Sequence, residues 1–496
     1  RTYTFTLNED NYGNTTLAQV YFYLDGGSTD TKAGIVNFDD FTIGESEFVL
    51  RVDNLVATTI DEETIELDWH CNDTTVVDHY KIYRDSAEGL TCHEDTFLDS
   101  VAVSHYTDTG LTENTTYFYK VIAVDTAGAE SAPGSEASAR TYDPNAGILV
   151  YTESVNATEI GRYEKFEINV AMENAHFDNP YNPEEIDLTA VFTSPSDSIW
   201  VIHGFYDNFN NRNQWKVRFS PNETGPWTYF LTATDKNGTG ESGPYEFNVI
   251  ASDHNGWIRQ STVNPHYFEY DDGTNYYGVG TYNPWNVNEG ELNNLKAHGG
   301  NFVAYWNIMY DEGEIIESMN SGLGRYDQPK CGRIDQIIQW AEERDMKAMF
   351  AIWPHDLISN TVWAHQWHNN PYNTICSVDE FYSDSEAWEY QKKQYRYLIA
   401  RWGYSRGLGI WEIVNEINGT DGWQAGNTDE ARLWVRKVHR FFKENDPMDR
   451  PTTASQSGGI YWPEGYAEID LPNVHLYETG WPAEFRGNQL RSSAWL

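Results

Sequence analysis

The feature that most restricts how this chain can fold is a change of hydrophobic period near Trp257. Upstream, apolar and polar residues alternate, as in Thr64-Ile65-Glu66-Leu67-Asp68-Trp69. That period puts every second side chain on one face of a strand, so this part reads as sheet with one buried face. Downstream, short apolar runs take turns with helical spacing. Ile334, Ile337, Ile338 and Ala341 fall at i, i+3, i+4 and i+7, the stripe of an amphipathic helix. Strands that alternate with helices are the signature of parallel pairing, since a parallel pair needs a crossover connection, usually a helix.

Several downstream segments carry the alternation. Strand-like runs are Tyr276 to Gly280, Gly300 to Trp306, Met346 to Trp353, Gly409 to Asn415, Thr452 to Ser455 and Asn473 to Tyr477. Helix-like runs are Glu291 to His298, Trp388 to Trp402 (with Ser383 and Ser385 as capping residues) and a segment opened by Thr428. Asp429 and Glu430 suit the first turn of that last helix, where the macrodipole favours negative charge. The pattern is that of a (β/α)8 TIM-type barrel over residues 257–496. Six strands are read rather than eight. The segment holds roughly 240 residues against about 250 for a complete barrel, and it carries an insertion around Trp363 to Tyr382. The expectation is a barrel truncated after about strand six. The fold class is thus multidomain, β-sandwich modules followed by this barrel.

Three upstream segments are distinguished. Residues 1–47 end in Gly34-Ile35-Val36-Asn37-Phe38-Asp39-Asp40-Phe41-Thr42-Ile43, which resembles the last strand of a jelly-roll carbohydrate-binding module. Fewer than fifty residues cannot close such a sandwich, so a remnant is expected. Residues 48–142 have strand-like runs separated by turn residues. Trp69, the run Tyr80-Lys81-Ile82-Tyr83 and the phrase Leu111-Thr112-Glu113-Asn114-Thr115-Thr116-Tyr117 resemble a fibronectin type III domain, in which Tyr117 would make the corner contact. Residues 147–250, with Ile202-His203-Gly204-Phe205-Tyr206-Asp207 and Gly225-Pro226-Trp227-Thr228-Tyr229, resemble the immunoglobulin-like sandwich that often precedes glycoside hydrolase barrels. Arg218, a charge in an apolar strand, reads as a structural ion-pair residue.

The candidate chemistry lies in Gly409-Ile410-Trp411-Glu412-Ile413-Val414-Asn415-Glu416-Ile417-Asn418-Gly419. A carboxylate at the carboxyl end of a barrel strand sits where barrel enzymes react their substrates. The stretch resembles strand four of the clan A, family-5-like glycoside hydrolases. The resemblance implies that Glu416 is the general acid/base and that Asn415 binds the sugar 2-hydroxyl. A retaining enzyme also needs a nucleophilic carboxylate about 5–5.5 Å from the first. In the resembled clan it ends strand seven, which is not found; the nucleophile is expected beyond Leu496, with Glu478 as the less favoured substitute. His475 and Tyr477 resemble the strand-six residues near that nucleophile, and His355 the strand-three histidine. Trp353 and Trp306 are candidate sugar contacts at strand ends. Glu412, four residues before Glu416, reads as a structural partner deep in the wall. Ala304 stands where family-5 enzymes carry an arginine, a departure that puts membership of that family in doubt. Trp363, His365, Trp367 and His368 in the insertion read as a sugar-binding loop rather than a metal site, and no metal or cofactor is implied.

Composition narrows the ligand. With 76 acidic and 33 basic residues the net charge is −43, which repels nucleic acid and anionic membranes and disfavours acidic polymers. The 19 Trp and 33 Tyr suit a neutral polysaccharide, because an aromatic face packs on the apolar face of a pyranose. No apolar run is long enough for a transmembrane helix. Cys71 with Cys92 and Cys331 with Cys376 are expected as two disulfides, consistent with a secreted monomer in an extracellular, periplasmic or cell-surface location. The chain is accordingly expected to be a retaining hydrolase of β-glycosidic bonds. The alternatives are a non-catalytic carbohydrate-binding or adhesion protein with a degenerate barrel and, less well supported, a polysaccharide lyase.

Overall fold

A computed structural model describes residues 50–475, apart from 144–145, 209–213, 285–286, 308–314 and 459–461. The chain separates into units 1–50 and 51–496. The expected jelly-roll remnant lies outside the described residues, as do Tyr477 and Glu478.

The second unit begins with a sandwich. Strands Val52–Thr59, Ile65–Cys71 and His105–Asp108 form one antiparallel sheet; Phe97–Val101, Val77–Asp85, Thr116–Asp125 and Ala137–Arg140 form the other. The Tyr117 hydroxyl accepts a hydrogen bond from the Thr112 backbone at 3.0 Å, which is the expected corner contact. A second sandwich follows, with a four-stranded and a five-stranded sheet between Leu149 and Ile250. In its strand Ile186–Thr193, Ile186, Leu188, Ala190 and Phe192 are buried and the residues between them are partly exposed. The period-two pattern thus selects one face, which joins a core containing Phe166, Phe219, Trp227 and Phe247.

Six strands then form one parallel sheet: β1 (Gly280–Tyr282), β2 (Phe302–Trp306), β3 (Lys347–Pro354), β4 (Leu408–Asn415), β5 (Thr452–Ser457) and β6 (Leu471–His475). Each pairs with the next in chain order. Helices α1 (Glu289–Ala297), α2 (Gln328–Glu343), α3 (Ser385–Trp402), α4 (Asp421–Gln424), α5 (Thr428–Asn445) and α6 (Pro463–Tyr466) lie between them. Every residue of β3 and β4 is buried, as a parallel sheet covered on both faces requires. Val303, Tyr305, Phe350, Ile352, Trp411 and Ile413 pack with the helices. Ala304, Met349 and Ile410 face the other way and meet Ile258 and Tyr276 of a small antiparallel sheet.

The sheet is strongly curved. Laid flat, six strands would set β1 and β6 roughly 24 Å apart, five spacings of about 4.8 Å. The rings of Tyr282 on β1 and His475 on β6 are instead 4.9 Å apart. The sheet is therefore a parallel half-barrel whose concave face is polar toward its carboxyl ends.

Three local expectations are corrected. The first strand is Gly280–Tyr282, not Tyr276 to Gly280; Asn275–Tyr276 pairs in the small antiparallel sheet instead. The cap of α3 is Asp384, between the two expected serines, and its side chain accepts from the Ala387 backbone. The two disulfides are not formed, and all four cysteines are free. Cys71 ends a strand of one sheet of the first sandwich, whereas Cys92 packs against Tyr83 and Phe118 of the other sheet. Cys331 is buried in α2 and accepts from the Tyr397 hydroxyl, while Cys376 donates to the Tyr372 carbonyl. Nearness in sequence does not aim these side chains at one another. Burial pushes the Cys331 and Cys376 thiols up to about 12, which suppresses the reactive thiolate. Thiol titration of the unreduced protein should find four thiols after denaturation; fewer would restore a bridge.

The second sandwich is clamped to the half-barrel by buried charge. Arg218 donates to Glu167 at 2.6 Å and to Asp335 of α2 at 2.7 Å, and it also donates to the Arg401 carbonyl of α3. Asp335 further accepts from the Arg401 guanidinium and the Trp402 indole. Burial alone would raise the Glu167 pKa, but Arg218, Lys165 and Lys216 outweigh it and bring it to about 2. The same balance, with Arg218 and Arg401 prevailing, holds Asp335 well below the usual carboxylate range. Arg218→Met should destabilise the protein by about 3 kcal/mol, the lower end of the cost of breaking a buried ion pair, because Glu167 is left with Lys165 and Asp335 with Arg401 as charged partners. Both pKa values are depressed, so this stability is present above the unfolded-state values. It should be lost as pH falls from about 4.5, the ordinary glutamate value, towards about 2. Urea melts from pH 7 to pH 2 read both effects; an unchanged midpoint in the variant would remove Arg218 from the clamp.

Candidate functional site

The site grows from the carboxyl end of β4. Glu416 directly follows the strand and takes a left-handed backbone, φ 51° and ψ 54°, before a short 3₁₀ turn over Ile417–Gly419. Such a conformation costs a non-glycine residue about 1–3 kcal/mol and needs support from its surroundings. Ser455 on β5 supplies some of it, accepting from the Glu416 backbone N–H at 2.8 Å.

The Glu416 carboxylate is buried and faces two imidazoles. His475 Nδ1 lies 2.8 Å from Oε1, and His355 Nδ1 lies 3.9 Å from Oε2. Burial pushes the His475 pKa down. The Glu416 hydrogen bond and the charges of Glu412 and Glu416 outweigh it, so the net shift is upward. His475 is thereby favoured as the cation that donates to Glu416.

Below Glu416 lies a second buried carboxylate. Glu412 accepts from the Tyr282 hydroxyl at 2.8 Å, from Asn415 Nδ2 at 3.2 Å and from Asn473 Nδ2 at 3.3 Å. The Tyr282 hydroxyl in turn accepts from Trp306 Nε1 at 2.7 Å and from Asn415. Burial raises the Glu412 pKa, against the opposing effects of His475 and the hydrogen bonds. Asn415 Oδ1 and His355 Nδ1 are buried without a hydrogen-bond partner. Buried polar atoms are nearly always paired, so two such atoms beside one carboxylate mark a place where a polar ligand could bind.

The structure thus brings Glu416, Asn415, His355, His475 and Trp306 together. Trp353 is placed elsewhere. Its indole donates to Tyr395 at 2.8 Å, and its ring packs on Tyr372 and Phe381 on the helix side of the sheet. Tyr477 lies outside the described residues. Ala304 lies within β2, two residues before Trp306, packed on Met349 and Ile410. The insertion does not gather its aromatic and histidine residues: Trp367 is in the core, whereas Trp363, His365 and His368 are exposed. Among the described residues no three His, Cys, Asp or Glu side chains are grouped to hold a metal. No helix among them is long and apolar enough to cross a membrane. Sequence reading missed Tyr282, Ser455 and Asn473. Tyr282 sits on a three-residue strand that carries almost no periodic signal, whereas Ser455 could have been read from its place at the end of the fifth strand-like run.

The fibronectin type III family model matches residues 50–140, and a domain of unknown function designated DUF5060 matches residues 159–234. A search of curated proteins found no match. Among solved structures, the chain is similar to a presumed glycoside hydrolase from Bacteroides vulgatus, at 20% identity and TM-score 0.46, over 62% of this chain and 58% of that one. It is also similar to a β-mannanase from the blue mussel Mytilus edulis, at 16% identity and TM-score 0.31, over 41% and 64%. A Bacteroides uniformis β-glucuronidase gives 10% identity and TM-score 0.34, over 88% and 51%. The chain thus spans less than two thirds of each of these three proteins.

Replacing Glu416 by Gln should lower the His475 pKa, because it removes the hydrogen-bonded charge that raises it. Imidazole titration by NMR reads the change. An unmoved pKa would mean that the two side chains are not paired in solution.

Proposed function

We propose that this protein is a glycoside hydrolase that cleaves β-linked neutral polysaccharide with retention of configuration, its half-barrel forming part of a (β/α)8 barrel. The observation that carries the reading is the buried Glu416 at the end of β4, paired with His475 and flanked by Asn415 on the concave face. In this reading Glu416 protonates the departing sugar oxygen and later takes a proton from water. His475 holds and orients the carboxyl through its hydrogen bond, and the upward shift of its pKa means that an ionised Glu416 favours the protonated imidazole. Asn415, whose Oδ1 is free of protein partners, binds a sugar hydroxyl.

Glu412 is not assigned the nucleophile's role. It is fully buried and tied by three donors, so it has no open approach to an anomeric carbon. The nucleophile is instead assigned to a carboxylate after His475. The proposed setting is outside the cytoplasm, where such polymers are met.

The test is Glu416→Gln in protein expressed to the stop codon of its gene, assayed on unactivated neutral β-glycans by reducing-end release. Loss of a general acid/base typically costs about 10²–10⁴-fold in turnover. Turnover within a few-fold of the parent would reject the assignment. Glycan binding by a parent that never cleaves would favour the non-catalytic carbohydrate-binding reading.

A further inference from the structure

We infer that Trp363 is a preformed stacking platform for a neutral pyranose unit adjoining the bond that Glu416 would protonate. This rests on the glycosidase reading and extends it to a substrate-binding residue in the β3–α3 insertion.

Four observations converge on Trp363. Among the described residues it is the one tryptophan that is exposed, at 49%. Its backbone is left-handed, φ 47°. Most described non-glycine residues with positive φ are Asn or Asp, which tolerate that region; the others are Tyr163, Trp363 and Glu416. For a bulky aromatic the conformation is strained, and strain of this kind collects at binding sites. The third observation is the seat of the ring. Trp363 meets His355 edge to face with centroids 5.1 Å apart, and His355 reaches to Glu416. A Cβ at Gly419, three residues after Glu416, would lie 2.3 Å from the Trp363 ring and 2.8 Å from His355. Only a glycine leaves room for the ring to settle there.

The fourth observation is that the loop is tied down. Asp421 accepts from the Asn360 and Thr361 backbone N–H groups and from the Thr361 hydroxyl. Ser359 Oγ donates to the Val362 carbonyl and accepts from the Val362 N–H. Burial would raise the Asp421 pKa, but these hydrogen bonds hold it below the ordinary value. The carboxylate therefore stays charged and keeps the loop closed on it. An exposed tryptophan fixed in a strained conformation by a charged anchor loses little freedom when a ligand lands on it.

The ligand follows from the surroundings. An indole face attracts the C–H face of a pyranose and offers no group to a carboxylate or sulfate. Asp356 and Glu416 lie against the His355 ring on which Trp363 rests, Asp421 holds the backbone two and three residues before it, and the chain carries −43 overall, so an anionic sugar would be repelled.

The experiment is isothermal titration calorimetry in a Glu416→Gln background, which prevents turnover. The probes are cellohexaose, mannohexaose and laminarihexaose, with a galacturonic acid hexamer as the acidic comparison. At least one neutral hexamer should bind. Adding Trp363→Ala should weaken that binding roughly tenfold or more, the factor set by about 1.4 kcal/mol. Trp363→Phe should recover most of it, and Gly419→Ala, which unseats the ring, should resemble Trp363→Ala. Undiminished binding in Trp363→Ala would overturn the platform and leave the glycosidase reading standing. Preference for the acidic hexamer would overturn the neutral-sugar assignment. If no neutral hexamer binds even with Trp363 in place, the platform fails, and loss of activity in the separate Glu416→Gln assay then decides whether the glycosidase reading survives.

Discussion

A carboxylate enclosed by a curved sheet must be answered by donors from several strands, and the enclosure of Glu412 organises the concave face around that need. Tyr282 from β1, Asn415 from β4 and Asn473 from β6 all point their donors at it. Left unanswered, such a group would cost several kcal/mol or give up its charge. Strands that are not sheet neighbours can share one carboxylate only if the sheet bends. The polar interior and the curvature therefore support each other: bending brings the donors in, and the hydrogen bonds hold the bend. Trp306 completes the arrangement by donating to Tyr282, which fixes the hydroxyl in the orientation that serves Glu412.

On this base the chain stores conformational strain where the candidate chemistry lies. Glu416 and Trp363 both have positive φ, and both are held by a hydroxyl or carboxylate from another segment. Glu416 leans on Ser455, and the Trp363 loop hangs from Asp421. The two strained positions meet through His355 and Gly419. Neither residue would adopt its backbone unaided, so the tertiary structure dictates the local one.

Much of this could be read before any coordinates. The apolar run ending in Asn415-Glu416 is β4, which begins one residue earlier, at Leu408. The helix opened by Thr428 and the charge pair at Asp429 and Glu430 stand where the sequence puts them. What escaped has physical reasons. β1 is three residues long and follows a more strand-like pair, Asn275–Tyr276, so periodicity favoured the wrong segment. Trp353 reads as a strand-end residue open to ligand, yet its ring is directed into the helix layer, the side its neighbour Ile352 also takes. The cysteine pairs looked local because sequence distance says nothing about side-chain direction. Tyr282 and Asn473 owe their importance to curvature, which no linear pattern records.

The Arg218 clamp changes what counts as a part. Modular proteins are commonly pictured as beads whose order can be rearranged. The second sandwich does not fit that picture, since Arg218 and Asp335 lie on opposite sides of its border with the half-barrel and form a buried ion pair across it. A gene fusion that cut between residues 250 and 257 would part Arg218 from Asp335 and from the Arg401 carbonyl, leaving Arg218 with Glu167 and Asp335 with Arg401 as their charged partners. Recombination should therefore spare that border, and the two pieces should be inherited together as one block.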